Sequence, residues 1–302
     1  MSGIPPLDST LGAVEIGGVV STFLFGLGTL QTYHFYQLFP EDRRALKWTV
    51  AILWFLELAH TIATWHAIYT LTVTLYAQPQ FIDAPPHSIY VTILLSALIS
   101  GIVQTLFANR IRVLSGRWPI TLICWVLTFA RGAFAMAAFV VILQAPSLLV
   151  FEAQFPWLIS AAFGIAAGVD VLVTGSLCYY LWKMRANGAD RTRRMVETIV
   201  TWTIETGLVT CASSVVGLIM VVTRHDLLWA TFFLISAKLF SNCYLASLNA
   251  RQRLRESDRN VVNFSSKSIS RSHRPMAVEM TTVTHSAEDF RLEEKDLEAA
   301  DK

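Results

Sequence analysis

The sequence predicts an all-α integral membrane protein, a bundle of seven transmembrane helices with its N-terminus outside and its C-terminus in the cytosol. Three observations lead to this fold class. Of the 302 residues, 54% are hydrophobic and only 15% are charged, whereas an average soluble domain has about 25% charged residues. The apolar residues form seven long stretches, most without the polar face that helices of soluble bundles show. Lys and Arg are concentrated in alternate loops, and basic loops stay on the cytoplasmic side of a membrane.

Each apolar stretch is long enough to cross a bilayer, which needs about 20 residues of helix. The predicted spans are Leu11–Leu38, Leu46–Leu75, Ser88–Val113, Ile120–Leu143, Pro156–Met184, Val196–Thr223 and Leu227–Asn249. Prolines fall in the loops or at helix starts, where the missing N–H is not needed. We therefore expect no span to be broken by proline.

The orientation follows from the loops. The basic residues of the first, third and fifth loops are Arg43, Arg44 and Lys47; Arg110, Arg112 and Arg117; and Lys183, Arg185, Arg191, Arg193 and Arg194. Residues 76–87 and 144–155 contain no Lys or Arg, and the sixth loop contains only Arg224. The second, fourth and sixth loops are therefore predicted to be exoplasmic.

The chain is predicted to have three parts: a short exoplasmic N-terminus (1–10), the membrane domain (11–250) and a disordered cytosolic tail (251–302). The tail begins basic and ends acidic, and a polar, charged segment of this kind is typical of disorder. We expect its basic start, Arg251–Arg259, to bind anionic lipids of the inner leaflet, at about 1 kcal/mol per basic residue.

Polar side chains recur inside the spans, where an ionisable group costs about 3 kcal/mol or more. The candidate buried polar layer consists of Glu57, His60, Gln104, Arg131, Asp170, Glu205, Lys238 and Asn242. Counting from the cytoplasmic end of each span at about 1.5 Å per residue puts the side chains of six helices at roughly 14 to 20 Å depth. They are therefore predicted to share one layer near the bilayer centre.

Two interpretations of this layer remain open. Three acidic residues face two fixed bases, Arg131 and Lys238, and His60 could supply a third positive charge. This near-balance favours a salt-bridge network that only fixes helix packing. Charges inside a membrane nevertheless commonly mark function, so the layer could also be a ligand or ion pocket, or a proton-sensitive switch centred on His60.

Known membrane chemistries fit the sequence poorly. Lys238 resembles the retinal-binding lysine of microbial rhodopsins, but the third helix offers only Gln104 where those proteins carry an acidic counter-ion. A zinc hydrolase needs three protein ligands, and of the three membrane histidines, His34, His60 and His66, the last two lie about 120° apart around one helix. No phosphate-binding loop or nucleophile elbow is present. We predict no enzymatic activity, metal or cofactor, and no nucleic-acid partner.

A rhodopsin-class G-protein-coupled receptor has the same topology but different motifs. The third span ends Phe107–Ile111 instead of with Glu/Asp-Arg-Tyr, and the seventh reads Asn242-Cys243-Tyr244 instead of Asn-Pro-x-x-Tyr. The sixth span lacks the usual proline. Membership of that class is not predicted, although a receptor-like role stays open.

Gly164 and Gly168 form a Gly-x-x-x-Gly pair in the fifth span. Small residues at this spacing let helices approach closely. The pair predicts either ordinary packing inside the bundle or a homodimer formed through that face.

Several short motifs together resemble a known family. They are Leu11–Ala13, Leu30–Tyr33 with Tyr36, Pro40–Arg43, Leu56–Thr61, Phe107–Ile111, Asp170 with Tyr179–Leu181, Ile204–Thr210, Leu239–Asn242 and Leu248–Arg251. As a set, across residues 11–251, they resemble a large family of seven-helix membrane proteins of basidiomycete fungi that is catalogued as a domain of unknown function. In that family the residues matching Glu57 and Glu205 are often Asp and Asn. The resemblance thus implies fold and topology, a layer that tolerates loss of charge, and no activity or cofactor.

Three functional hypotheses follow. The first is a receptor- or sensor-like bundle whose polar layer binds a small ligand or responds to protonation. The second is a structural or scaffolding membrane protein, and the third is a small-solute transporter. In each case we expect an integral protein of the plasma membrane or another membrane of the secretory pathway.

Overall fold

The computed structural model describes residues 10–75, 86–144, 151, 154–186, 190–224 and 226–272, with side chains for all of these except 184–203, 206 and 252–272. This part of the chain forms seven α-helices and no strands. They are α1 (Leu11–Leu38), α2 (Arg44–Tyr69), α3 (His87–Ser115), α4 (Pro119–Gln144), α5 (Pro156–Ala186), α6 (Asp190–Thr223) and α7 (Leu228–Ser272). A π-helical turn, Thr70–Thr74, extends α2.

Prolines and one glycine set several helix ends. Pro119 and Pro156 occupy the first positions of α4 and α5, where the proline ring has a helical φ and no N–H is required. Pro86 is the N-cap residue of α3. The same helix ends at Gly116, whose φ of 65° is left-handed, a conformation that glycine adopts without a steric cost. These three prolines lie at helix starts, as predicted.

Six of the helices in the described part are long and apolar enough to cross a membrane, namely all but α6. In α6 the apolar segment is shorter, Gly207–Thr223. Large apolar side chains lie exposed on the outer surface, such as Phe129 at 80% exposure and Trp182 at 67%. Such a surface suits contact with lipid tails, and the chain is an integral membrane protein by the length and composition of its helices.

Helices α1 and α7 lie parallel to each other. Side chains of α7 donate hydrogen bonds to α1 carbonyls from Thr231 to Ala13 (2.6 Å), from Asn242 to Leu24 (2.9 Å) and from Asn249 to Gln31 (2.8 Å). The sequence separation is 218 residues in every case, so the contacts advance in the same direction along both helices. Gly17 permits this approach, because a Cβ there would lie 2.9 Å from the Cα of Thr231.

Helices α5 and α6 lie antiparallel to each other. A Cβ at Gly207 would overlap Thr174, and a Cβ at Gly217 would lie 2.5 Å from the Phe163 ring. As the contact moves forward along α6 from Gly207 to Gly217, its partner on α5 moves back from Thr174 to Phe163. Helix α3 is central, since it packs against α2, α4 and α5, and its Arg110 donates to Ser247 of α7 at 2.9 Å.

The last helix is longer than predicted. The predicted seventh span ends at Asn249, whereas α7 continues to Ser272; the disorder of residues 251–302 stays a prediction. Residues 251–272 contain no Gly or Pro, and their first turns are rich in the strong helix formers Arg, Gln, Leu and Glu. The compact unit that contains the bundle ends at Asp258. The remainder of the predicted tail, 273–302, lies outside the described residues.

Candidate functional site

Lys238 of α7 and Glu57 of α2 form a buried ion pair. Their side chains are only 1% and 8% exposed. The Lys238 ammonium also donates to the backbone carbonyl of Glu57 at 2.8 Å and to the Thr61 hydroxyl at 2.9 Å, and it lies 5.2 Å from the centroid of the Phe25 ring. The Ser241 hydroxyl donates to Oε1 of Glu57 at 2.5 Å. These contacts leave no accessible face of the ammonium for an external ligand.

His60 lies one turn after Glu57 on α2 and is fully buried. Its Nε2 is 2.8 Å from the Ser96 hydroxyl of α3, and its Nδ1 has no hydrogen-bond partner. His60 therefore connects α2 to α3 through one hydrogen bond.

A second polar group joins α3, α4, α5 and α6. Arg131 and Asp170 attract each other without a close ion pair, since Lys238–Glu57 and Arg251–Asp42 are the close pairs among the described residues. Gln104 and Thr210 approach the Asp170 carboxylate.

The bonding in this second group is incomplete. Gln104 makes no hydrogen bond of good geometry with either amide atom, and the Nη1 atom of Arg131 has no partner. The Arg131 guanidinium lies 5.1 Å from the centroid of the Phe240 ring. A cavity of about 30 Å³ lies between Gln104, Asp170 and Phe240.

Asn242 is half-buried, donates to α1 as described above and, together with Glu57 and Lys238, lines a cavity of about 10 Å³. Another member of the predicted layer lies elsewhere. Glu205 is exposed, so its predicted burial is wrong. The apolar part of α6 begins after it, at Gly207, and the residue precedes the buried Ser214 by nine positions, which puts it about 180° away around the helix. The predicted depth of Glu205 followed from its distance along the span that begins at Val196, and this distance does not show which side of α6 the residue faces.

One buried polar stripe was missed. Ser88, Thr92, Ser96, Ser100 and Gln104 follow each other at four-residue spacing along α3, and all five are buried. A run of hydroxyl residues at i+4 steps on one helix face was present in the sequence. It marks the side of α3 that faces the bundle interior.

The Gly164 and Gly168 pair does not pack inside the bundle. A Cβ at either position would meet no other atom within 4 Å, and Gly168 is exposed. The interpretation as ordinary close packing within the bundle is therefore wrong. The homodimer through this face stays a prediction.

A cavity with a volume of about 250 Å³ lies between the helices of the bundle. One end is bordered by helix ends, including Leu11 of α1, Ile89 of α3 and Ile142 of α4. The other end reaches Gln104 and Arg131 at mid-helix. Its wall is made largely of apolar and small side chains, so the space results from Ala and Gly positions that face one another.

Part of this site lies in a segment that is similar to a known family. A family model described as "Family of unknown function (DUF6534)" matches residues 166–253. This range includes Asp170, Thr210 and Lys238, and it covers most of α5, all of α6 and more than half of α7. No curated protein matches the chain.

Proposed function

We propose that the chain is a receptor- or sensor-like membrane protein that crosses the bilayer seven times and binds a small ligand in its 250 Å³ cavity. The cavity is the observation that carries this proposal. Small-molecule sites are concave, mostly apolar pockets of about 300–1,000 Å³ with a few polar groups, and they occur between the helices of bundles. The volume here, about 250 Å³, lies just below that range and suits a small ligand.

Helix directions support seven crossings. If α6 did not cross, α7 would be the sixth span and would lie antiparallel to α1. The three hydrogen bonds between α1 and α7 instead make these helices parallel, which requires an odd number of crossings between the two, namely five when α6 crosses. The antiparallel packing of α6 on α5 agrees with this. The 17-residue apolar segment of α6 is about 26 Å long, just short of the hydrocarbon core.

The alternation of basic loops supports an exoplasmic N-terminus and a cytosolic C-terminus. Protease treatment of sealed, right-side-out vesicles tests this orientation with a tag at each end. The N-terminal tag should be removed and the C-terminal tag protected. In this orientation the helix ends that border the cavity face outward, which is where an external ligand would enter. The resemblance to fungal seven-helix proteins supports a fungal source and a plasma-membrane or secretory-pathway location.

Cavity filling tests the ligand-binding proposal. Ala135 of α4 lines the cavity, whereas Ala137 is exposed on the outer side of the same helix. Ala135→Phe should abolish saturable binding of small lipophiles to the protein in nanodiscs, and Ala137→Phe should leave it intact. A fluorophore on Arg117→Cys, at the exposed turn between α3 and α4, should report a ligand-dependent conformational change. Binding without any change at this position would contradict a sensor role.

A structural role is the second candidate, and the Lys238–Glu57 pair favours it. Its ammonium is fully used in helix-to-helix contacts, as a packing element would be. This candidate predicts loss of stability, and no ligand response, in variants of the pair. A transporter is third, and solute flux into proteoliposomes would be needed to support it. Inner-leaflet lipids at Arg251–Arg259 and a homodimer at Gly164 and Gly168 remain proposed partners; we propose no catalytic activity.

A further inference from the structure

We infer that the ligand of the 250 Å³ cavity is a lipophilic carboxylic acid, with its carboxylate at Arg131 and Gln104 and its hydrocarbon chain toward the outward helix ends. This inference rests on the proposed function, because it names the ligand class of the same cavity.

Charge is the first argument. Among the described residues that line the cavity, Arg131 is the only charged one. Asp170, which attracts Arg131, lines the separate 30 Å³ cavity, while Glu57 and Lys238 line neither. The charge at the wall of the large cavity is therefore positive, in an apolar surrounding and without a close ion pair to Asp170. Such a place favours an anion and disfavours a cation.

Unused donors are the second argument. The Nη1 atom of Arg131 has no hydrogen-bond partner, and the Gln104 amide, 2% exposed, approaches the Asp170 carboxylate without a hydrogen bond of good geometry. The lining hydroxyls of Thr64, Thr92 and Thr128 instead donate to carbonyls of their own helices. Buried polar groups normally have partners, so Nη1 of Arg131 is an unused donor at the inner end of the cavity; the other unpartnered donor of a lining residue, Nε1 of Trp229, belongs to the first turn of α7. A guanidinium presents its N–H groups in the planar geometry that a carboxylate accepts.

Size and lining are the third argument. A water-sized group takes about 30 Å³ in a liquid, so the cavity holds about eight such groups. A two-chain phospholipid is far larger than this. From Arg131 to Ile142, the cavity wall runs eleven residues along α4, or about 16 Å. A narrow apolar space of this length, with donors at one end, matches an acid with a chain of about eight carbons.

The test compares octanoate, 1-octanol and octylamine, which share a chain and differ in the head group. Binding of each is measured at pH 8 by equilibrium dialysis on the full chain in phosphatidylcholine nanodiscs, with empty nanodiscs as background. Octanoate should bind at least tenfold more tightly than octanol, and octylamine should not bind. Arg131→Met should weaken octanoate binding about tenfold to hundredfold, since a hydrogen bond to a charged group is lost, and should leave octanol unaffected. Arg117→Met, at an exposed arginine outside the cavity, is the matched control.

Equal binding of octanoate and octanol, both lost in Ala135→Phe, would overturn the acid assignment and leave the ligand-binding proposal standing. Absence of saturable binding for all three probes would overturn both. If Arg131→Met does not fold, Arg131→Gln, which removes the charge but keeps a polar side chain, takes its place. An acid preference that persists unchanged in Arg131→Gln would contradict the placement of the carboxylate.

Discussion

The Lys238–Glu57 pair allows a quantitative prediction about what holds α2 and α7 together. Lys238→Met removes the ammonium and its two hydrogen bonds but keeps a side chain of similar length. The Glu57 carboxylate, 8% exposed, would then keep only the hydrogen bond from Ser241. Breaking a buried pair by removing one partner costs about 3–5 kcal/mol, because it leaves an uncompensated charge. We expect the free energy of unfolding to fall by about this amount.

The double variant separates pairing from burial. Glu57→Gln combined with Lys238→Met leaves two neutral side chains of nearly the original volume. Replacing a whole buried pair by neutral groups is often close to neutral for stability. We expect Glu57→Gln alone to cost about 3–5 kcal/mol as well, because it leaves the ammonium unpaired, and the double variant to lose only about 1–2 kcal/mol. The double variant would then lose at least about 4 kcal/mol less than the sum of the two single effects.

Unfolding in mixed micelles with increasing sodium dodecyl sulfate, followed by circular dichroism, measures these differences. Glu205→Gln is the matched control, because it neutralises a glutamate that the structure places on the surface, and it should change stability little. The reasoning would be refuted if Lys238→Met came within about 1 kcal/mol of the unaltered protein, or if the two single effects simply added in the double variant.

Three further changes test the packing between helices. Asn242→Leu removes one hydrogen bond to α1, and unfolding in micelles should show a loss of about 0.6 kcal/mol, the average for such bonds in membranes; a loss above 3 kcal/mol would contradict this. Gly207→Ala should destabilise the protein by about 1–3 kcal/mol, because the added methyl group overpacks against α5, and the thermal midpoint of unfolding should fall. Gly175→Ala is the control: a Cβ there would lie in open space, so the midpoint should stay equal or rise. Arg251→Ala breaks a partly exposed ion pair with Asp42 at 2.6 Å and should lower the free energy of unfolding by less than about 1 kcal/mol. This loss of stability should be smaller still at high salt. A loss that does not depend on salt would argue against an electrostatic origin.

The helices were predictable from the sequence because each is a continuous apolar stretch bounded by charge or proline. The predicted Leu11–Leu38 coincides with α1, and the predicted starts of α3, α4 and α5 lie within one residue of the observed ones. The end of α7 was not predictable in this way. Hydropathy marks where a helix leaves the bilayer, whereas the helix itself continues to Ser272 on propensity alone.

The polar layer was predictable only in part. Counting residues along a helix gives the depth of a side chain in the membrane, but it gives less information on which side of the helix that side chain faces. Glu57 and Lys238 came out at the same depth, and they are in contact. Glu205 came out at a similar depth but faces the opposite side of α6 from Ser214. The cavity has no sequence pattern at all, since its volume depends on how Ala and Gly residues of several helices are turned toward one another.

The two groups of buried charge differ in a way that bears on function. In the Lys238 group every donor of the ammonium reaches a protein acceptor, so a ligand there would have to displace existing bonds. In the Arg131 group both donors and acceptors lack partners, among them Nη1 of Arg131 at the wall of the 250 Å³ cavity and Oδ2 of Asp170 at the 30 Å³ cavity. The near-balance of charges that favoured a purely structural layer therefore applies to the first group only. Variants of Lys238 should alter stability without altering ligand selectivity, and variants of Arg131 should alter selectivity between acid and alcohol more than stability.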